Sequence, residues 1–345
     1  MKVRWGIIGA CGIAKRRTIP EVLRFAEKSE IVALMDVDLQ ALKATAQEFG
    51  IPRAHSTVSE LLKEDIDAVY IASPVAFHYS QTKEAFAAGK HVLCEKPLAL
   101  RVEEGEELLE LAEKHNLKFG VAFMMRYNVY HQKIREFVTE GKIGQPVFAR
   151  AQLTCFYPEI PGAWRQKKAT GGGGALTDMG CHCIDLLEWF FGEIAEVFGF
   201  LDTITHKYEV EDTSTVLLKF KNQAHGFVDN FFNLPDATAR NILEIYGTKG
   251  AIFAQHTIGQ DPGGEVWYCF SEAPQGYDAL QRRTPTSWQK LELTPKALYA
   301  QEVDAMSEWI LGGPKPHIAA EIGLRNMRVL SAIYRSAEER KAVAV

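Results

Sequence analysis

Short apolar runs alternate with amphipathic stretches over roughly the first third of the chain. In the amphipathic stretches apolar residues recur at helical spacing, as Leu42, Ala46 and Phe49 do. The runs are almost wholly apolar, which is typical of strands in a parallel sheet that helices cover on both faces. The predicted strands span residues 3–8, 31–35, 68–72, 91–94 and 119–123. The predicted helices end at residue 25 or span 39–49, 79–88 and 102–115.

The pattern changes after Phe123. One amphipathic helix follows, with Tyr130 and Ile134 on its apolar side, and strands then dominate. In the strand predicted at 214–220, apolar and polar residues alternate, as on an antiparallel sheet with one buried face. The other predicted strands span 146–156, 196–204, 226–232, 241–246 and 265–270.

This change divides the chain into two predicted domains, residues 1–123 and 124–345. The second is expected to return to helix over 299–340 and to place the stretches 259–264 and 274–287 at the surface. Such a sheet has one face to cover, which either a helix or a partner subunit can do, and we expect a homo-oligomer, a dimer or tetramer, formed through this sheet.

Composition limits the classes of function. The chain has 345 residues, of which 47% are hydrophobic and 24% charged, as in an ordinary globular protein. A net charge of −5 gives no basic surface for nucleic acid, and no stretch approaches the ~20 apolar residues of a membrane span. The first residues enter a strand without a secretory segment, so we expect a cytoplasmic protein with reduced cysteines. Cys181-His182-Cys183 lacks a second ligand pair, so no metal is expected.

The turn after the first predicted strand nearly matches the dinucleotide-binding pattern G-x-G-x-x-A. Gly9 permits the tight turn, while Gly12 and Ala14 keep the helix start close to the sheet. A pyrophosphate can then rest on N–H groups at the helix N-terminus. Cys11 stands where a second glycine is usual, so its β-carbon should displace the cofactor slightly or change the loop. The predicted turn consists of Gly9, Ala10, Cys11, Gly12, Ile13 and Ala14.

Asp36 ends the second predicted strand, where a carboxylate accepts hydrogen bonds from ribose hydroxyls. A carboxylate there repels a 2′-phosphate, and the neighbours Val37 and Asp38 supply no arginine, so NAD is favoured over NADP. The basic run 15–17 either approaches the cofactor phosphates or forms a solvated helix face.

Glu95-Lys96-Pro97 follows the predicted strand 91–94. Proline biases the preceding residue toward an extended conformation, so Lys96 is a cation on a stiff segment at the mouth of a strand. Open α/β sheets bind ligands in the crevice at that edge. Taken alone, the tripeptide is also compatible with a solvated charged turn.

A run of four glycines at 171–174 precedes Asp178 and His182. Glycines let the backbone turn sharply or pass close to a ligand. If helix covers both residues, their i,i+4 spacing places them on one face, where the aspartate can orient the imidazole. A structural role for each residue alone is the alternative.

Together these motifs resemble the Gfo/Idh/MocA oxidoreductases, the family of glucose–fructose oxidoreductase and inositol dehydrogenase. The resemblance covers nearly the whole length. It rests on the turn 9–14, Ser73-Pro74 with His78, the stretch 88–97, Arg126-Tyr127-Asn128, Gly172-Gly173 with Asp178 and His182, and the stretch 246–250.

The resemblance implies a Rossmann domain, followed by an α/β domain with a large, open, mostly antiparallel sheet. It also implies NAD(P)-linked hydride transfer on a sugar, cyclitol or related polyol. Lys96 corresponds to the lysine beside the nicotinamide, and Asp178 and His182 complete a catalytic trio. Further cofactor contacts are expected at Ser73, Pro74, His78 and Glu95.

The chemistry of these residues fits oxidation of a secondary alcohol, which loses a proton from oxygen and a hydride from carbon. His182 is expected to titrate near neutrality and to act as the base, and Lys96 to stabilise the alkoxide. A sugar pocket is predicted from the polar and aromatic residues Arg126, Tyr127, Asn128, Tyr157, Trp164 and Arg165. Two alternatives stay open: redox-neutral glycoside cleavage with transient oxidation by NAD, and a non-catalytic sensor of NAD or sugar.

Overall fold

The computed structural model describes residues 1–271, 277–280 and 287–345. Most of the predicted surface stretch 274–287 therefore lies outside the described residues. Within them, no helix combines the length and the apolar character needed to cross a membrane.

The first part of the chain forms a parallel sheet of six strands in the order β3-β2-β1-β4-β5-β6. This is the strand order of a Rossmann fold. Every residue of the four-residue strand β4 is buried, which confirms that both faces of the sheet are covered. The strands are β1 (Val3–Ile8), β2 (Ser29–Met35), β3 (Arg53–His55), β4 (Ala68–Ile71), β5 (His91–Cys94) and β6 (Phe119–Val121).

Helices connect these strands, and their ends carry the expected local signals. The Asp38 carboxylate accepts hydrogen bonds from the N–H groups of Gln40 and Ala41 at the start of α2, and Gly50 ends that helix with φ +67°. A π-helical turn, Ala14–Thr18, precedes α1. The helices are α1 (Ile19–Phe25), α2 (Leu39–Phe49), α3 (Val58–Leu61), α4 (His78–Ala87) and α5 (Val102–Lys114).

A second sheet dominates the rest of the described chain, with the strand order β14-β13-β12-β11-β7-β10-β9-β8-β15. Only β7 and β10 pair in parallel among these strands; the other pairs are antiparallel, as predicted for most of the sheet. The strands are β7 (Pro146–Gln152), β8 (Ile194–Asp202), β9 (Thr213–Phe220), β10 (His225–Phe231), β11 (Ile242–Gly247), β12 (Gly250–Gln255), β13 (Glu265–Phe270), β14 (Gln289–Lys290) and β15 (Val343–Ala344).

Helices cover one face of this second sheet. Along β9 the side chains of Val216, Leu218 and Phe220 are buried, whereas Leu217 is 53% exposed on the opposite face. The alternation predicted for this strand is therefore confirmed. The remaining helices are α6 (Val129–Thr139), α7 (Lys168–Gly171), α8 (Cys181–Phe191), α9 (Leu298–Ile310) and α10 (Ala320–Glu339).

The two C-terminal helices pack back on the parallel sheet. The Trp5 indole donates a hydrogen bond to Ser307 of α9, and the Val121 N–H donates to the carbonyl of Ile318 at the start of α10. The helix predicted over 299–340 is in fact two helices, because Gly312-Gly313-Pro314-Lys315-Pro316 cannot continue one. The boundary between residues 123 and 124 stays a prediction.

Candidate functional site

A cavity of about 860 Å³ opens at the carboxyl edge of the parallel sheet. Its wall includes the turns after three strands: Gly9 after β1, Ser73 after β4 and Lys96 after β5. Residues from the second part of the chain close the other side, among them Asp178 and His182. The cavity thus lies where ligands bind in open α/β sheets.

The turn after β1 is built for close approach of a ligand. Gly9 has φ +78°, and a β-carbon there would lie 2.5 Å from the backbone nitrogen of Ser73. At Gly12 an added β-carbon would meet only the Ala72 carbonyl oxygen, at 4.0 Å, so the space above this glycine is open. Gly9, Gly12 and Ile13 line the cavity, whereas Ala14 is buried in the core. A pyrophosphate fits this turn without steric conflict.

Cys11 does not occupy the position expected from the sequence. Its Sγ lies 3.8 Å from the Thr45 hydroxyl on α2, and it does not line the cavity. Burial raises the pKa of the thiol to about 11, so it is neutral at physiological pH. The expectation that the β-carbon of Cys11 faces the cofactor phosphates is therefore wrong, because this side chain turns toward α2.

Asp36 lies at the cavity as predicted. Its Oδ2 accepts a hydrogen bond from the Cys11 N–H at 2.9 Å, and its Oδ1 accepts one from the Asp38 N–H at 3.1 Å. These two bonds fix the carboxylate at the end of β2, beside the glycine turn. It is thus held where a ribose would be bound.

His78 joins the turn after β4 to the turn after β5. Its Nδ1 lies 2.8 Å from the Pro97 carbonyl oxygen and its Nε2 lies 2.9 Å from that of Ser73. The ring is buried, and burial lowers its pKa. His78 lines the cavity with Ser73 and Pro74, and because a neutral ring has a single N–H, it donates to one of these two carbonyl oxygens. The ring thus lies between the turn after β4 and the turn after β5 and contacts both.

Glu95 and Lys96 follow β5, and each has a defined partner. The Tyr70 hydroxyl donates to Glu95 Oε1 at 2.6 Å, and burial raises the pKa of Glu95. The Lys96 ammonium donates to the carbonyl oxygen of Asp178 at 2.7 Å and to its Oδ1 at 3.0 Å. Lys96 is only 12% exposed, so the alternative of a solvated turn does not hold.

Asp178 lies in a π-helical turn, Leu176–Gly180, directly before α8. Arg165 Nε donates to Asp178 Oδ1 at 3.4 Å, and the Arg165 guanidinium stacks on Trp164 at 4.3 Å. Burial opposes ionisation, yet Lys96 and Arg165 hold the pKa of Asp178 well below its ordinary value. Burial likewise favours a neutral Lys96, but the carboxylates of Asp178 and Glu95 raise its pKa. The site therefore holds a charged ion pair at neutral pH.

His182 lies on α8 with 6% of its surface exposed and lines the cavity. Its ring packs edge-on against Phe123 at 5.9 Å, and its buried Nδ1 has no hydrogen-bond partner among the described residues. Burial, helped by the charge of Lys96, lowers its pKa well below its ordinary value. The expected titration near neutrality is wrong. Asp178 makes no hydrogen bond to this Nδ1, and its Oδ1 and carbonyl oxygen bind Lys96 instead.

The segment Arg126-Tyr127-Asn128 does not reach the cavity. Arg126 forms a buried ion pair with Asp185, at 2.7 Å, and donates to the carbonyl of His317. The Asn128 side chain accepts a hydrogen bond from the Tyr130 N–H at the start of α6, and Tyr127 is 9% exposed in the core. The prediction that these three residues line the sugar pocket is wrong, because none of them lines the cavity. Arg126 and Asn128 instead make hydrogen bonds within the fold, and Tyr127 is buried in the core.

Tyr157, Trp164 and Arg165 do line the cavity. The sequence did not predict several other residues that line the cavity, since they belong to no recognisable ligand-binding motif. These include Met124, Met125, Leu153, Cys155, Asp236 and Asn241. The loop predicted at the surface also contributes, because Gly259 and Gln260 line the cavity.

The strand order, the glycine turn and the cavity at the carboxyl edge define an NAD-binding oxidoreductase. Residues 3–123 match the family model described as oxidoreductase family, NAD-binding Rossmann fold, and residues 131–253 match the GFO/IDH/MocA C-terminal domain. The chain therefore belongs to the Gfo/Idh/MocA family of oxidoreductases, which includes enzymes that act on sugars.

Similarity to known proteins covers the whole chain. The 1,5-anhydro-D-fructose reductase of Ensifer adhaerens is 29% identical, over 99% of this chain and 98% of the relative. An uncharacterised oxidoreductase of Rhizobium meliloti is 31% identical over 97% of each chain. The crystal structure of aldose-aldose oxidoreductase from Caulobacter crescentus, complexed with glycerol, superposes with a TM-score of 0.88 at 25% identity, over 100% of both chains.

Proposed function

We propose that this protein transfers a hydride between NAD and a secondary alcohol or ketone of a sugar, cyclitol or related polyol. One observation carries the proposal: Lys96, Asp178 and His182 meet in the same cavity that begins at the nucleotide-binding turn. When bound, the nicotinamide supplies the hydride acceptor or donor. The similarity to the 1,5-anhydro-D-fructose reductase of Ensifer adhaerens supports a sugar-like substrate.

Lys96 is placed to bind the reacting oxygen. An ammonium has three N–H donors, and two of them bind Asp178. The third is available to a substrate oxygen, where a positive charge stabilises alkoxide character. Because the pKa of Lys96 is raised, this group stays charged over the working pH range.

His182 is the group best placed to take the alcohol proton. Its lowered pKa keeps the ring neutral at pH 7, so a ring nitrogen can accept the proton that leaves the oxygen. In the reverse direction the imidazolium returns that proton to the alkoxide. Asp178 Oδ2 accepts no hydrogen bond from the described residues and can receive a neighbouring substrate hydroxyl.

The test is a screen of sugars, anhydrosugars, glycosides and inositols, with NAD and NADP supplied separately and NADH or NADPH formation followed by absorbance. We expect turnover with at least one polyol and a preference for NAD, because Asp36 faces the cavity as a carboxylate. Conversion of a glycoside without net NADH would instead indicate redox-neutral cleavage. Tight NADH binding without turnover of any compound would contradict the proposal.

We further propose that the open face of the second sheet binds a second copy of this chain. Strand register places Phe198, Leu217 and Phe227 in one row across this face, followed by Arg150 and Glu244 and then by Phe253 and Trp267. Leu217 is 53% exposed and Trp267 is 40% exposed, so apolar side chains on both sides of Arg150 and Glu244 are open to solvent in the single chain.

Light scattering after size-exclusion chromatography tests this proposal. Leu217→Glu should convert a dimer or tetramer into smaller species, because it places a charge among the apolar side chains of the interface. Leu23→Glu is the control, since Leu23 is 47% exposed on α1, in the first part of the chain. A wild-type monomer at micromolar concentration, or an unchanged mass for Leu217→Glu, would contradict it.

A further inference from the structure

Glu211 closes the start of the turn that carries Asp178. Its Oε1 accepts hydrogen bonds from the N–H groups of Gly174 at 2.9 Å and Leu176 at 3.1 Å. Its carbonyl oxygen accepts a third, from the Ala175 N–H at 2.9 Å. Three successive amides that no helical turn satisfies are thus bound by one residue from the segment before β9.

Tyr334 of α10 completes this arrangement. Its hydroxyl donates to Glu211 Oε1 at 2.9 Å and lies 2.8 Å from the Thr177 hydroxyl, which donates to it in turn. Thr177 directly precedes Asp178 in the chain. The buried chain of hydrogen bonds therefore runs from α10 to the residue beside the catalytic aspartate.

Gly173 and Gly174 leave the space that Tyr334 and Glu211 occupy. A β-carbon at Gly173 would lie 1.8 Å from the Tyr334 hydroxyl, and one at Gly174 would lie 1.9 Å from the carbonyl oxygen of Glu211. Neither approach tolerates a side chain at the glycine. At Gly173 and Gly174, the close approach expected for a ligand is thus made by the protein's own Glu211 and Tyr334.

We propose that Glu211 and Tyr334 are positioning residues, which fix the turn carrying Asp178 and, through Asp178, the Lys96 ammonium. The coupling is direct because Lys96 binds both the backbone oxygen and the carboxylate of Asp178. A displacement of this turn therefore moves both acceptors of the ammonium together. This inference rests on the proposed function only for its effect on turnover.

Tyr334→Phe removes the hydroxyl, and Ser336→Ala is its matched control. Ser336 lies on the same helix, is fully buried, donates to the Lys341 carbonyl and accepts from the Gly199 N–H. Both substitutions remove a buried hydroxyl with two partners, so both should lower the melting temperature by a similar amount. Only Tyr334→Phe should change the environment of Lys96.

The reactivity of Lys96 reports this change without any substrate. Competitive acetylation over a pH range, read by mass spectrometry, gives the pH at which its amine becomes reactive. The groups that face the Lys96 amine are Asp178, Glu95, Cys181, Arg165, His182 and His78. Because Asp178 raises the pKa of Lys96, a looser Asp178 should shift the curve to lower pH, by about 0.5–1 unit in Tyr334→Phe.

Substitutions of Glu211 give a second, independent comparison. Glu211→Gln keeps an oxygen that accepts the same N–H groups and should leave the Lys96 curve near that of the wild type. Glu211→Ala removes the acceptor and should shift the curve as Tyr334→Phe does. Turnover, where a substrate is found, should fall about tenfold in the shifted variants, since small misplacements of reacting groups are costly.

An unchanged Lys96 curve in Tyr334→Phe, or an equal shift in Ser336→Ala, would overturn the inference. So would a Glu211→Gln variant that shifts as far as Glu211→Ala. If the wild-type protein oxidises no polyol, the proposed function fails, but the acetylation curves still decide the role of Glu211 and Tyr334.

Discussion

Two arginines, each paired with an aspartate, serve this protein in different ways. The Arg126–Asp185 pair is 7% and 2% exposed, lies away from the cavity and ties α8 to the start of α10. The Arg165–Asp178 pair is 31% and 25% exposed and lines the cavity beside Lys96. Residue types are the same in both pairs, so composition cannot separate them. What separates them is whether the pair is enclosed in the core or lines the cavity.

The electrostatics of the two aspartates differ accordingly. Burial raises the pKa of Asp185 although Arg126 opposes this, because that pair has little contact with solvent. Asp178 faces two cations and its pKa is depressed in spite of burial. The Arg126–Asp185 pair thus holds elements of the core together, whereas Asp178 stays ionised beside two cations at the wall of the cavity. The following predictions test this distinction.

The largest effect is expected at Lys96. Lys96→Met should lower kcat about 10³-fold or more while the fold is retained, because the positive charge beside the reacting oxygen is lost. Steady-state kinetics and circular dichroism measure both. The matched control is Lys90→Met, since Lys90 precedes β5 while Lys96 follows it, and its ammonium binds the Ile66 carbonyl outside the cavity. Comparable losses in both variants would show that Lys96 is structural.

Arg126 should matter for stability. Arg126→Leu leaves the Asp185 carboxylate buried without its partner, which lowers the free energy of unfolding by about 3–5 kcal/mol. Urea unfolding measures this, and KM of the folded fraction should be unchanged. Combining Arg126→Leu with Asp185→Leu should recover part of the loss, since no charge then stays buried. A variant with normal stability and a raised KM would indicate instead that Arg126 contacts the substrate.

Arg165 should show the opposite pattern. Arg165→Leu should cost less than about 1 kcal/mol of stability, because the pair is partly exposed and its separation is long. We expect about a tenfold loss in kcat/KM, since Asp178 loses one of the two cations that hold it. The same kinetic and urea measurements apply. Unchanged kcat/KM together with a large loss of stability would make Arg165 equivalent to Arg126.

The smallest effect is in the acid dependence of stability. The depressed pKa of Asp178 contributes stability that is fully present above its unfolded pKa of about 3.9 and is lost as the pH falls through the folded pKa. Asp185 has the opposite effect. Because its pKa is raised in the folded protein, its ionised carboxylate destabilises the fold, and stability increases as the pH falls through the folded pKa.

Urea unfolding of the wild type, Asp178→Asn and Asp185→Asn at several pH values measures the contribution of each carboxylate to the free energy of unfolding. The stability advantage of the wild type over Asp178→Asn should shrink as the pH falls below about 4. Its advantage over Asp185→Asn should instead grow as the pH falls toward about 4. Parallel curves for the two variants would remove the electrostatic distinction between the pairs.

Most of the parallel sheet could be predicted from sequence because its signals are local. The strands β1, β4 and β5 are apolar runs bounded by polar or glycine residues, and their carboxyl ends must meet at one edge. The strands β3, β14 and β15 were missed because two or three residues show no periodicity, and β12 was missed because polar and apolar residues do not alternate along it. Lys96, Asp178 and His182 were predicted and do lie together in the cavity.

The outcomes for Cys11 and for the segment 126–128 depended on contacts that the local pattern does not contain. Thr45, which Cys11 approaches, is 34 residues further along the chain, and Asp185 is 59 residues from Arg126. A sequence motif gives the residue types at neighbouring positions. Whether a side chain points into the cavity depends on its contacts, and those are made by residues far away in the sequence.

The sequence by itself determined the Rossmann fold, the nucleotide turn and the lysine at the end of β5, because each follows from periodicity or from backbone rules within a few residues. The tertiary structure alone decided how Lys96 is held, since Asp178 lies 82 residues away. It also decided that Glu211 and Tyr334, 123 residues apart, meet at the glycine run. Such contacts arise only when separate elements pack, which is why the charge state and the supports of the site required the structure.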